Sequence, residues 1–379
     1  MARVRAHGDV IQPPAASIPS RERGRDERAV VEREQEEPGI ADRERGQRAI
    51  VVARTDAHAA ALPERAQRSA VALAELADVH FSILPCSSRS ALPLRAPILL
   101  FMQVGRFAIE IFSDGVFRQD GGAMFGVVPK VLWEKEKPAD ELNRVAMEMN
   151  CLLIRDTAGH IVVVETGAGP KLTEKSKRNF GIDAPPRLLD ELARRGVRPD
   201  EVTLVVNTHL HFDHAGGNTY RDGDRIVPTF PRATYVFQRL EWQDALAPNE
   251  RTRASYFADD FAPLETAGRL DLIDESVEIL PGIRLDRIQG HTRGTQTVRV
   301  SDAGQTLFFS SDFMPDRHHL RLPWIPSQDL FPLESLAAKK VILPRAIEER
   351  WIVGFTHDVP RFGRISEQDG RYRFDEIPE

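Results

Sequence analysis

The chain predicts an α+β architecture of four layers, an αββα sandwich of two packed β-sheets with helices outside, preceded by a disordered extension. Three observations carry that expectation. Short β-type runs fall into two groups, one ending near residue 237 and one spanning 277–355, with helical patterns between and after them. Several apolar runs stop at a His or Asp, as strands do when their ends build a site. The composition also changes near residue 101: residues 1–101 hold no Lys, Trp or Tyr, and 15 Arg against 14 acidic residues.

Mixed charge with few aromatic residues buries little core, so residues 1–101 are expected to be disordered. One helix is expected there, over 63–79, where Pro63-Glu64 opens an Ala/Leu/Val-rich run. The acids cancel the arginines, which argues against a basic binding arm. Met102 is an alternative start, with the preceding residues an over-extended reading frame. No secretory signal opens the chain, and Ala96 to Met102 is too short to span a bilayer. Residues 102–379 are expected to form the catalytic domain.

Within that domain, residues 107–112 and Val116-Phe117 flank Ser113-Asp114-Gly115, a hairpin signal. Residues 149–154 and 161–164 flank a second turn, from Asp156 to His160. Residues 186–195 put Leu188, Leu189 and Leu192 on one helical face and stop at Gly196. A strand at 203–207, another at 234–237 and a helix from Leu240 follow. Strands are expected near 277–280, 283–288, 296–300 and 306–310. A helix over 332–350, broken near Pro344, leads to a last strand at 351–355. No fixed-period repeat is evident.

The chemistry concentrates in Thr208-His209-Leu210-His211-Phe212-Asp213-His214-Ala215-Gly216-Gly217, directly after an apolar run. Three imidazoles and a carboxylate within six residues suit half of a two-metal hydrolytic site better than a surface histidine cluster. Three further ligand types end apolar runs: His291 in Gln289-Gly290-His291-Thr292, Asp312 in Ser310-Ser311-Asp312, and His357 in Thr356-His357-Asp358. Asp358 is an alternative or a helper to His357. His318 and His319 are adjacent and read as loop residues; His160 reads as a solvated turn residue. Two cations about 3.5–4 Å apart can share one hydroxide at neutral pH, polarise a carbonyl or phosphoryl oxygen and stabilise the leaving oxygen. Neutral imidazoles suit zinc, so two divalent ions, Zn2+ first, are the expected cofactors, although manganese, cobalt or iron accept the same donors. Cys86 and Cys151 are the only cysteines, in no metal-binding spacing, which fits a reducing cytoplasm.

In this order, H-x-H-x-D-H, G-H-T, S-D and a late His, the residues from about 102 onward resemble the metallo-β-lactamase superfamily. The resemblance implies one metal on His209, His211 and His291, a second on Asp213, His214 and His357, and Asp312 bridging both. It also implies two sheets related by a pseudo-twofold with the metals at one edge, and Asp213 as the catalytic acid towards the leaving group. The turn Glu165-Thr166-Gly167-Ala168-Gly169 resembles the early turn of that family, with Glu165 standing where Asp is usual. Gly126 to Lys130, Trp133, Asn143, Leu322-Pro323-Trp324 and Asp329-Leu330 are similar to the branch of quorum-quenching lactonases and methyl-parathion-hydrolase-like esterases.

The expected function is therefore hydrolysis of an ester or lactone in a small-molecule substrate, with Phe125, Trp133, Phe212, Trp242 and Trp324 as candidate pocket or core residues. The alternatives are a thioester hydrolase of the glyoxalase II kind, an organophosphate hydrolase, a nuclease and a non-catalytic scaffold. No basic cluster for glutathione carboxylates is visible. The net charge of −7 on residues 102–379 argues against nucleic acid as partner. A scaffold would be expected to lose ligands, and all seven are present. No membrane partner is expected; a homodimer is compatible with the sequence. A chain shortened to begin at Met102 is expected to express as soluble protein with the thermal midpoint and metal content of the full chain. Insoluble or metal-poor protein would mean that the first 101 residues pack on the domain.

Overall fold

Residues along the strands alternate between two apolar faces, and both faces are covered. The computed structural model describes residues 101–378; the expectations of disorder and of a helix over 63–79 lie outside the described residues. The chain forms β1 (Phe101–Val104), β2 (Phe107–Asp120), β3 (Arg144–Asp156), β4 (Ile161–Val164) and β5 (Leu204–Val206). It then leaves the sheet for a hairpin, β6 (Thr219–Asp222) and β7 (Arg225–Pro228), and returns as β8 (Thr234–Gln238) and β9 (Leu270–Ile273). The first sheet runs β1-β2-β3-β4-β5-β8-β9, antiparallel up to β4 and parallel beyond it. The second contains β10 (Val277–Leu280), β11 (Ile283–Arg287), β12 (Gln296–Asp302), β13 (Gln305–Phe309), β14 (Ile352–Gly354), β15 (Gly363–Gln368) and β16 (Arg371–Glu376), in chain order. Only β13 and β14 pair in parallel there.

Ile109, Ile111, Leu152, Ile154, Val162 and Val164 of the first sheet meet Leu285, Val298, Val300, Leu307 and Phe309 of the second. The opposite face of the first sheet, with Leu153, Val163, Val205, Tyr235 and Phe237, packs on Leu188, Leu192, Trp242 and Ala245 of two helices, Leu188–Arg194 and Arg239–Leu246. Phe308, Val353 and Ile365 cover the far face of the second sheet together with Leu343 and Ala346 of the helix Pro332–Glu348. The result is four layers, αββα. Each large side chain buried in this way contributes about 1.5–3 kcal/mol relative to exposure.

Three expectations need correction. Residues 113–115 are not a hairpin turn: β2 runs through them with a bulge against β3. The reason is Asp114, whose buried carboxylate accepts from the backbone N–H groups of Ala168, Arg187 and Leu188 and so draws the bulge inward. Leu189 is exposed, not on the buried face with Leu188 and Leu192. Pro344 does not break its helix, because it lies on the exposed side, where water can satisfy the carbonyl it leaves unpaired. Phe101 already belongs to β1. The two-stranded β6–β7 hairpin, β9 and the C-terminal hairpin of β15 and β16 were not expected.

The fold brings the carboxyl ends of β4, β5, β11, β13 and β14 to neighbouring positions, and the segments after them carry the chemistry. The helix Pro332–Glu348 supports one of these. Its buried stripe is Ser335, Lys339, Leu343 and Ala346, polar toward its N-terminus. Lys339 Nζ donates to Trp324 O at 2.5 Å, and Ser335 Oγ donates to Asp329 Oδ2 at 2.5 Å, so both hold the loop after residue 320. Burial pulls the Lys339 ammonium down from 10.5 to about 7. The unfolded chain keeps its proton up to the ordinary range and so binds more protons between those values. Stability should therefore rise with pH across that window. The urea midpoint of the full chain is expected to increase between pH 7 and about 9.5, with a shallower rise in Lys339→Met. Equal slopes in the two proteins would refute this.

Candidate metal centre

The buried pair Asn207-Thr208 follows β5, and the chain then turns through His209 to a one-turn helix, Phe212–Ala215. Asn207 Nδ2 donates to His214 O at 2.7 Å and closes that turn on itself. The turn after β4 lies directly against it: a Cβ on Gly216 would meet Ala168 O at 2.1 Å, so a side chain has no room there. Glu165 opens that turn with φ +63°, an unfavourable conformation for a non-glycine residue. Its carboxylate accepts from Thr208 N, from the Thr208 hydroxyl and, at 3.1 Å, from His214 Nδ1.

All seven side chains nominated from the sequence meet at one centre. His209 Nε2 and His291 Nε2 lie 3.0 and 3.1 Å from His211 Nδ1. Asp312 Oδ2 faces this trio, 3.5 Å from His291 Nε2 and 3.9 Å from His209 Nε2. Its other oxygen, Oδ1, lies 3.0 Å from His357 Nε2 and 3.3 Å from His214 Nε2. Asp213 Oδ2 closes the second group at 3.5 Å from both of those nitrogens. Donors about 2.0–2.2 Å from a common tetrahedral ion stand roughly 3.3–3.6 Å apart. The two groups have close to that spacing, and Asp312 contributes one oxygen to each.

Outer contacts fix which nitrogen faces inward. His291 Nδ1 donates to Asp329 at 3.1 Å, His357 Nδ1 to Glu148 O at 2.6 Å, and His209 Nδ1 to Thr208 Oγ1 at 3.2 Å. With His214 on Glu165, four imidazoles turn Nε2 inward, while His211 offers Nδ1. The inward nitrogens of His214 and His357 are buried and make no hydrogen bond. Unpaired imidazole nitrogens beside carboxylate oxygens are a donor set that two divalent ions fit. Burial, reinforced by neighbouring imidazoles, holds His209 and His211 well below the usual histidine range, in the neutral ligating form. Burial opposes the charge on Asp312, but the attraction of His357 and His214 outweighs it and keeps the carboxyl well below its usual range.

The remaining nominated residues fall elsewhere. Asp358 pairs with Arg317 at 2.5 Å and does not point to the centre. His319 is fully buried in a short 3-10 segment, bonded to Asp316 Oδ1 at 2.6 Å and stacked on Phe125. His160 caps its own turn against Asp156 at 2.7 Å. Trp242 belongs to the core under the first sheet, while Phe125, Trp133, Phe212 and Trp324 share one apolar cluster. Of these, Phe212 lies between the nominated donors His211 and Asp213 in the one-turn helix. Partly exposed Phe180 stacks on it at 3.9 Å, Phe257 lies 5.9 Å away, and Phe117 sits edge-on to His357 at 5.3 Å. Sequence reasoning missed Phe117, Phe180, Tyr256 and Glu241 as site residues and named Asp329 only within Asp329-Leu330, with no role at the centre; only folding brings them here.

The metallo-beta-lactamase superfamily model matches residues 148–357. An N-acyl homoserine lactonase of Bacillus thuringiensis is 25% identical over 193 residues, 50% of this chain and 65% of the relative. The N-acyl homoserine lactonase AttM of Agrobacterium fabrum is 28% identical over 118 residues, 29% of this chain and 41% of its own. The chain thus spans less than two thirds of the length of these curated relatives. Among solved structures, a probable metal-dependent hydrolase from Staphylococcus aureus superposes with TM-score 0.68 and 31% identity, covering 73% of this chain and 99% of that one. AidC, a dizinc quorum-quenching lactonase, gives TM-score 0.60 over 74% of this chain and 97% of its own; at 18% identity this is a likeness of fold. The family match covers more than half of the chain, and the chain belongs to the metallo-β-lactamase superfamily.

Proposed function

We propose that this chain is a dinuclear metal-dependent hydrolase acting on an ester or lactone with an apolar side group. The observation that carries the proposal is the donor set divided by Asp312, one oxygen facing each group of three. In this reading His209, His211 and His291 hold one divalent ion, and Asp213, His214 and His357 the other. Zinc suits five imidazoles and two carboxylates. When bound, such a pair of ions supplies polarisation of the substrate oxygen and activation of water near neutral pH.

The chain's own residues supply the rest. Asp213 Oδ2, between the inward nitrogens of His214 and His357, is the carboxylate placed to take a proton from water and return it to the leaving oxygen. Phe117, Phe180, Phe212 and Phe257 give the approach an aromatic wall that excludes water and favours an acyl or aryl group over a charged one. That wall favours the ester or lactone reading over a glutathione thioester, whose carboxylates call for cations. Relatives named as N-acyl homoserine lactonases support the same choice.

Metal-replete protein is expected to hydrolyse aryl esters and acyl-chain lactones with a kcat/KM that rises with acyl length and exceeds that for glutathione thioesters. A preference for the thioester would reverse the substrate assignment. Asp213→Asn should lower turnover by roughly 10²–10⁴-fold while retaining metal. Asp312→Ala should lose both metal and turnover, because one carboxylate no longer screens two ions from each other. Elemental analysis and hydrolysis rates on both purified variants check this pair. Two firmly held ions and normal rates in Asp312→Ala would sink the dinuclear reading.

A further inference from the structure

The helix Arg239–Leu246 carries no motif of the site, yet its Glu241 is only 1% exposed. No Lys or Arg pairs with it among the described residues. Its carboxylate is instead shared by three segments. Oε1 accepts from Leu210 N at 2.9 Å, between His209 and His211, and from the Tyr256 hydroxyl at 2.9 Å. The Tyr256 ring lies 4.8 Å from that of His211. Oε2 accepts from Thr292 Oγ1 at 2.5 Å, one residue after His291. The same helix grips the second loop again, where Arg293 is held by Asp244 at 2.6 and 3.0 Å. Gly294 allows this approach: a Cβ there would stand 2.4 Å from Glu241 N.

We infer that Glu241 is a positioning residue for the three-imidazole half of the centre, fixing the distance between the loop of His209 and His211 and the loop of His291. The inference rests on the proposed function only in requiring an ion at those three imidazoles; it needs no particular substrate. The charge itself is part of the argument. A buried carboxylate costs far more desolvation than a glutamine of the same shape. A strut that only joined loops would gain stronger, charge-assisted hydrogen bonds from the charge but no affinity for a cation. A strut beside a divalent ion gains that affinity as well, because a negative charge behind the loops of His209, His211 and His291 attracts the cation they would hold.

Zn2+ alone, titrated into the metal-stripped full chain against a competing chelator, tests this. Glu241→Gln keeps the shape and two of the three hydrogen bonds. It is expected to leave the metal-free thermal midpoint unchanged or higher while weakening one of the two zinc sites about 10–100-fold. Thr292→Val, which removes one donor from the carboxylate, is expected to weaken the same site less. It decides the matter if the glutamine variant does not fold. Zinc affinities equal to those of the unaltered chain in the folded variant would overturn the inference, and a lowered metal-free midpoint with unchanged zinc affinity would make Glu241 a strut of the fold only. If the unaltered chain binds two zinc ions but cleaves neither esters nor lactones, the substrate reading fails and this one stands. If hydrolysis is normal and Glu241→Gln binds zinc normally, the reverse holds.

Discussion

Five imidazoles and two carboxylates are crowded so closely that neighbouring donor atoms stand 3.0–3.9 Å apart, nearly all away from water. Such a cluster is expensive. Each buried polar atom needs a partner, and like donors facing one another resist being brought together. The fold answers by giving every imidazole an outward anchor. Glu165, Thr208, Glu148 and Asp329 take the outer nitrogens of four rings, and Tyr256 packs on the fifth. Much of the structure around the strand ends is explicable as support for those anchors.

That support joins the two sheets. Gln238 at the end of β8 donates to Gln296 at the start of β12 at 2.9 Å, and Gln296 donates to Asn207 O at 2.9 Å. Asn218 donates to Asn207 at 2.8 Å, and Gln296 N to Thr208 O at 2.9 Å. A chain of buried amides thus runs from the second sheet to the residues just before His209. Left-handed backbone at Glu165 and Ser311 adds strain of about 1–3 kcal/mol each. Both sites flank the cluster, where the inter-sheet core is rigid enough to impose it.

The layers were legible because period-2 patterns and strand lengths are local. The candidate site was legible because four of its seven donors lie within six consecutive residues and the other three each end an apolar run. What failed was non-local. Nothing near Asp114 announces that its carboxylate will bind a turn fifty residues on, so a bulge read as a hairpin. Nor does anything near Pro344 tell that its face will be exposed. Trp242 and Trp324 read as equal candidates for a pocket because hydrophobicity carries no address; one lies in the core under the first sheet and the other in the cluster that also holds Phe117 and Phe212. Glu241 escaped notice, and Asp329 was noticed without a role, for the converse reason: single acids in ordinary surroundings become anchors only when loops from both sheets converge on them.

The most direct measurement is a crystal structure of the zinc-loaded chain with anomalous diffraction recorded on either side of the zinc edge. The account predicts two anomalous peaks flanking the Asp312 carboxylate, one within about 2.0–2.2 Å of His209 Nε2, His211 Nδ1 and His291 Nε2 and the other at the same distance from Asp213, His214 and His357. A single peak, or two peaks of which one has ligands outside these seven side chains, would contradict it.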